Sequence, residues 1–508
     1  MTAELELAQR GSRRWLALGA LAVAMLTIGL DVTVLTVALP TLAHDLGASS
    51  SQLQWFTTAY TLVLAGAMLP AGALGDRYGR RKLLLGALVL FGAASLGCSY
   101  ASTSGQLVAG RAVLGLAAAT MMPLSMAVLP VLFPDSGERA KALTIWVTAT
   151  AIGLPLGPIL GGWLLDNFWW GSIFLINVPL VIVGAIAVAV LVPESRASDL
   201  HRPDYLGGLL ASIGLLGLTY GFIEAGESGW DAPTVWPAIA TCVAAFLGCA
   251  WWERRAPHPM IDLSLLGNPG FRWGTVFTTL VNFAMFGLFF TVPQYFQAVL
   301  GVDALGSGLR LLPMIGGLLV GARIADPLLR RAGTRPVVVI GFVLLAAGLG
   351  LGASTSVDSA YWFVAVWIAV VGAGMGFVLP AAMGMALDAL SAERSGAGSA
   401  LIQALRQAGG TIGVAVLGTV LATRYRTELG GLDVEPIRDG VGAGVAVARA
   451  SGIPAMLEQV QASFLSGMGL MLWVCAAICV VAIALAVWFT PRGTAKAPTD
   501  ESQSVHVG

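Results

Sequence analysis

Charge is scarce in this chain. Asp, Glu, Lys and Arg make up 11% of 508 residues, against 57% apolar residues and a mean hydropathy of +0.81. That balance excludes a soluble domain of this length and reads as a polytopic membrane protein. Histidine is rarer still: His44, His201, His258 and His506 lie scattered in loops and a tail. With no histidine cluster, paired acid site, nucleophile motif or nucleotide loop, the chain is not expected to be an enzyme, nor to hold a metal or other cofactor. The five cysteines (Cys98, Cys242, Cys249, Cys475 and Cys479) all fall in apolar runs. Without His or acid neighbours they read as packing residues. Basic and acidic residues balance at 28 each and no basic run stands apart, which argues against nucleic acid as a partner.

Apolar runs are what the chain has in abundance. Counting stretches of about 17 to 25 residues predicts fourteen membrane spans. Twenty of the 28 Lys and Arg residues fall in the segments on one side, four fall within spans, and the other four (Arg424, Arg426, Arg438 and Arg449) share one long loop. The positive-inside rule therefore places both termini in the cytoplasm. The N-terminus imitates a signal peptide, but its apolar run is too long and lacks a small-residue cleavage site, so it reads as a retained first span.

The chain repeats itself at an offset of about 257. Gly115 and Pro123 of the fourth span return as Gly372 and Pro380 of the twelfth, and Ala142–Leu143 return as Ala400–Leu401. Two copies of a six-span unit leave two spans over. The expected plan is a six-helix half over 1–192, two inserted helices over 193–257, and a six-helix half over 258–490 with a long outer loop at 425–461. The remainder, 491–508, reads as a disordered cytoplasmic tail. Parallel halves around an axis normal to the membrane imply a central cavity that opens to one side at a time. The inserted pair is expected at the periphery, and the outer loop is expected to form short amphipathic helices.

One carboxylate, Asp31, lies inside the first apolar run, Trp15 to Pro40. A charge at that depth costs roughly 2.5–3.5 kcal/mol. It is either a carboxylate satisfied within the bundle or an exchange site that holds a proton or a cationic substrate. Arg111 is the permanent charge of the fourth span, and Ile368 stands at its position in the second copy, so building the span does not require it. After the second span comes GALGDRYGRRKLLL, in which Gly72, Asp76, Arg77, Gly79 and Arg80 suit a cytoplasmic latch between helix ends. In the fifth span Gly153, Gly157, Gly161 and Gly162, with Pro158, form a surface that another helix approaches closely. Trp55, Thr58, Tyr60, Asn282, Phe286 and Gln294 are candidates for the cavity lining.

These stretches resemble the major facilitator superfamily. LVAGRAVLGLAAA (Leu107 to Ala119) is similar to its fourth-span motif, and GLPLGPILGGWLL (Gly153 to Leu165) to the fifth-span motif of its antiporters. LDVTVLTVALP (Leu30 to Pro40) and FLINVP (Phe174 to Pro179) resemble the 14-span drug–proton antiporters. Two departures stand out. Thr58 occupies the place of a second-span acid found in some multidrug members, and Trp170, Gly171 and Ser172 replace the WRW that often precedes FLINVP. The resemblance implies an all-α major facilitator fold in a bacterial plasma membrane. It implies efflux of lipophilic, cationic or weakly basic drugs in exchange for protons, with Asp31 and Arg111 as the coupling pair. A dedicated exporter of a self-made antibiotic, metabolite or lipid is the alternative, and a non-transporting sensor a remote one. The expected partners are the drug, protons and the bilayer, and the expected state is a monomer.

Overall fold

In a computed structural model, residues 2–133, 135–196, 204–256, 263–390, 395–432 and 434–490 are described, and the tail expected at 491–508 lies outside them. All regular structure among them is helical. The first half comprises α1 (Thr2–Asp45), α2 (Ser50–Tyr78), α3 (Arg80–Ser99), α4 (Ser104–Leu132), α5 (Ser136–Asn167), α6 (Ser172–Leu175) and α7 (Asn177–Leu191). Next come α8 (Tyr205–Ser228) and α9 (Val235–Glu253). The second half comprises α10 (Pro269–Gln294), α11 (Ala304–Arg310), α12 (Leu312–Ala332), α13 (Thr334–Ala353), α14 (Tyr361–Asp388), α15 (Ser395–Leu429), α16 (Glu435–Asp439), α17 (Val441–Ser451) and α18 (Pro454–Phe489).

Twelve helices are long and apolar enough to cross a membrane among the described residues. Both α2 and α5, of 29 and 32 residues, have the same reach, which is compatible with fourteen spans. The glycine and proline content does not break these helices, because neighbouring helices cover the backbone groups that a proline frees. Each half has its own apolar core.

The inserted helices sit asymmetrically. α9 packs on α8, while α8 wedges between α2 and α15. Toward α15 it is hydrogen-bonded: Thr419 Oγ1 donates to the Phe222 carbonyl at 2.6 Å, and Arg426 donates to the carbonyls of Gly226 and Glu227. Toward α2 the contact is steric, with Ser212 against Gly66 and Tyr220 6.4 Å from the Trp55 ring.

The long loop is shorter than its sequence suggests, since α15 runs on to Leu429 and α18 starts at Pro454. Between them α17 buries Val441 and Val445 in the second core, with Ala448 buried on the same helix, and the Tyr425 hydroxyl donates to the Ile437 carbonyl at 2.8 Å. An apolar face at helical spacing makes this segment a cap on the core.

Candidate functional site

Asp31 and Arg111 meet. The Arg111 Nη1 donates to Asp31 Oδ2 at 2.6 Å, and the two side chains are 1% and 0% exposed. Three further groups fix the pair. Arg111 Nε donates to the Phe56 carbonyl at 2.9 Å, its guanidinium lies 4.4 Å from the Tyr60 ring centroid, and Asn177 Nδ2 donates to Asp31 Oδ1 at 3.0 Å. Asn177 also reaches Ser95 Oγ at 3.4 Å. The site therefore draws on α1, α2, α3, α4 and α7, all of the first half. Gly115 lets α2 and α4 close on the arginine, since a Cβ there would stand 2.3 Å from the Tyr60 carbonyl oxygen. A buried pair whose remaining valences are filled holds both charges in place, and removing either partner costs about 3–5 kcal/mol.

No side of Asp31 is open. A substrate cation would have to displace Arg111 from it, whereas a proton needs only a transient opening.

The two halves meet along a seam running from the middle of the helices to the end remote from the termini. Thr411 Oγ1 donates to Thr61 Oγ1 at 2.7 Å, Gln297 Nε2 to the Val37 carbonyl at 2.8 Å, and the amides of Ala304 and Leu305 donate to the Asp166 carboxylate at 3.3 and 3.0 Å. Phe286, Phe290 and Val414 of the second half join the apolar core of the first. α5 and α11 touch backbone to backbone. A Cβ on Gly162 would stand 2.4 Å from Leu305 Cα, and one on Gly308 2.4 Å from the Pro158 carbonyl oxygen. Gly153 and Gly157 of the same helix serve a different contact, against Gly29 and Thr33 of α1, and Gly161 lies against Val34.

Near the termini the loop after α2 makes contacts within its own half. The loop after α2 folds onto α4 and the end of α7: Arg80 Nη1 donates to the Ala127 carbonyl at 3.0 Å, and the Arg81 amide to Glu194 Oε1 at 3.1 Å. Gly72 faces Pro123, Gly79 has a φ of 115°, and Arg77 is exposed beside Tyr78. The Asp76 side chain lies outside the described residues. The two halves are thus joined at the remote end.

The expected cavity lining is dispersed. Phe286 lies on the seam, against Gly410. Tyr60 belongs to the charge cluster, and Trp55 faces α8. The Thr58 hydroxyl is satisfied by the Gln54 carbonyl, and Gln294 Nε2 by the Phe290 carbonyl. Asn282 Nδ2 donates to the Arg406 carbonyl at 2.8 Å. Asn177, Ser95, Thr61, Thr411 and Asp166 carry site or seam contacts that sequence reasoning did not single out. The only signal for Asn177 was its place within FLINVP.

Residues 21–414 match the sequence profile of the Major Facilitator Superfamily. The chain belongs to that superfamily. The "Tetracenomycin C resistance and export protein" of Streptomyces glaucescens is 32% identical over 507 residues, covering 96% of this chain and 93% of the relative. The "Multidrug efflux pump LfrA" of Mycolicibacterium smegmatis is 32% identical over 472 residues, covering 90% and 92%. Among solved folds, a bacterial homologue of the human lysosomal transporter Spinster, in an inward-facing, unoccupied conformation, aligns with a TM-score of 0.65 at 16% identity, covering 93% of this chain and 97% of that one. As a major facilitator, this chain is a multi-pass membrane transporter and not an enzyme.

Proposed function

We propose that this facilitator exports lipophilic drugs from a bacterial cytoplasm in exchange for protons, with both termini cytoplasmic and Asp31 as the proton site. The observation that carries the reading is the sealed Asp31–Arg111 pair on the helix that also supports the seam. Val37, whose carbonyl accepts from Gln297 of the second half, lies six residues beyond Asp31, or about 9 Å along α1. In this reading the closed remote end and the intact ion pair belong to the state that receives substrate from the cytoplasmic side. Rocking exposes the site to the outside, where a proton on Asp31 releases Arg111 and loosens α1. Return to the cytoplasmic side discharges the proton and restores the pair. Proton entry supplies about 2.3 kcal/mol per charge per 100 mV, plus the pH gradient.

Substrate breadth divides two readings. The relatives include a protein named for one compound and a pump named for many, so a dedicated exporter stands beside a multidrug one. The cationic or weakly basic substrate expected from Asp31 has no open carboxylate to meet in this conformation.

The test is transport by purified protein in proteoliposomes under an imposed pH gradient, comparing wild type with Asp31→Asn. Gradient-driven uptake that disappears in the variant supports proton exchange at Asp31. Equal transport by both moves the coupling site elsewhere. A panel of unrelated drugs against the same vesicles separates the broad pump from the dedicated one.

A further inference from the structure

Asp31 and Arg111 pair with each other, and in the middle stretches of six helices from the two halves the one further charge is positive. Asp31, Arg111 and Arg406 are the only Asp, Glu, Lys, Arg or His residues in Trp15–Ala43 of α1, Ser50–Gly75 of α2, all of α4, Trp273–Gln294 of α10, Tyr361–Leu387 of α14 and Leu401–Thr423 of α15. Among the described residues, Arg406 has no carboxylate within ion-pair distance. Its Nη1 donates to Gln403 Oε1 at 2.8 Å, while its Nε is buried without a partner. A half-buried guanidinium with a buried, unpartnered Nε and no counter-charge is costly, and an anion arriving there offsets the cost.

Its position fits a binding role. Arg406, Gly410 and Val414 form one stripe of α15 at helical spacing. Val414 packs in the first half's core and Gly410 lies against Phe286, which also joins that core. Arg406 is one turn further toward the termini, just inside the seam on its unsealed side. Asn282 anchors its backbone. The ring of Phe286 lies a turn above, and the half-buried ring of Phe283 belongs to the same α10 wall. A fork of N–H donors suits a carboxylate, phenolate or sulfonate, and the two rings, packed at the seam in this conformation, would meet a flat molecule once the halves part.

We infer that Arg406 is the substrate-charge site and that the exported molecules are lipophilic aromatic anions. This rests on the export reading and assigns the substrate class for that same pathway. Asp31 is left with the proton alone, and each charge has its own site.

The decisive experiment is binding to purified full-length protein by titration calorimetry, without any gradient, using two permanently charged ring systems: anthraquinone-2-sulfonate and ethidium. Wild type is expected to bind the sulfonate at least about 10-fold more tightly than ethidium. Arg406→Gln should weaken the sulfonate about 10- to 100-fold, the range for hydrogen bonds to a charged group, and leave ethidium unchanged. Arg406→Lys, which keeps the charge, should retain most of the affinity. Ethidium binding as tight as the sulfonate, or sulfonate binding indifferent to Arg406→Gln, overturns the assignment. Should both variants fail to fold, the wild-type comparison of the two probes still decides. Asp31→Asn separates the two readings. If it binds the sulfonate normally yet transports it as wild type does under a pH gradient, proton coupling at Asp31 fails while the Arg406 site stands.

Discussion

Gly162→Ala tests the seam most directly. The added Cβ would stand 2.4 Å from Leu305 Cα and 2.6 Å from both the Ala304 carbonyl oxygen and the Leu305 amide nitrogen. Carbon pairs rest at about 3.5–4.0 Å, so the backbones must part by more than an ångström. All three atoms are backbone, and no rotamer change relieves the clash. Because α5 and α11 belong to opposite halves, the relief available is separation of the halves at the remote end. Overpacking of this kind costs about 1–3 kcal/mol, which moves a two-state equilibrium about 5- to 150-fold toward the form open at that end. A cysteine at Phe290, which is 3% exposed and packed in the first half's core, reports the opening. Its labelling by a membrane-impermeant maleimide should accelerate by that factor in the Gly162→Ala background. The five native cysteines are buried and leave a quiet background. Gly97→Ala, where nothing lies within 4 Å of the new Cβ, should label like the parent. Equal labelling of Gly162→Ala and the parent, with equal turnover, would refute the seam's role in closing the molecule.

The hydrogen bond between Thr61 and Thr411 should yield a coupling energy of about 0.6 kcal/mol in a double-mutant cycle of valine substitutions, read by thermal unfolding in detergent; a zero coupling removes it from the seam. Asn177→Ala should cost about 1.5–3 kcal/mol of stability, the range for a hydrogen bond to a charged group, and slow gradient-driven transport. Unchanged transport would make Asn177 a packing residue. The exposed pair of Arg424 and Glu428, at 2.5 Å, should be worth 0–1 kcal/mol, so Glu428→Gln is expected to leave the melting temperature nearly where it was.

Asp31 and Arg111 were legible because a charge inside an apolar run is costly wherever it occurs, and the cost alone demands a partner. Asn177 was not, since an amide carries no net charge and its motif marked a family resemblance without marking that residue. The carbonyl of Phe56, which holds Arg111 Nε, is backbone and leaves no trace in the side-chain sequence. Asp166, an acid at the end of α5, becomes an acceptor for the amides that open α11 only through the juxtaposition of the halves. The fifth-span glycines were legible as a close-approach surface, but spacing could not say that Gly153 and Gly157 face α1 while Gly162 faces the other half. Short amphipathic helices were expected in the outer loop, but the alanine and glycine content of α17 did not tell that it docks on the second core. Placing α8 requires knowing which groove between halves is free, and that is a property of the whole assembly.

That placement has a consequence for traffic from the bilayer. Two six-helix halves related by an axis along the membrane normal present lipid with two equivalent clefts, one on each flank. Here the cleft between α2 and α15 is occupied by α8, bolted to α15 by Thr419 and Arg426 and packed closely against α2 at Gly66. A molecule dissolved in the membrane therefore meets a wall of helix on that flank, and the two flanks of this molecule are not equivalent.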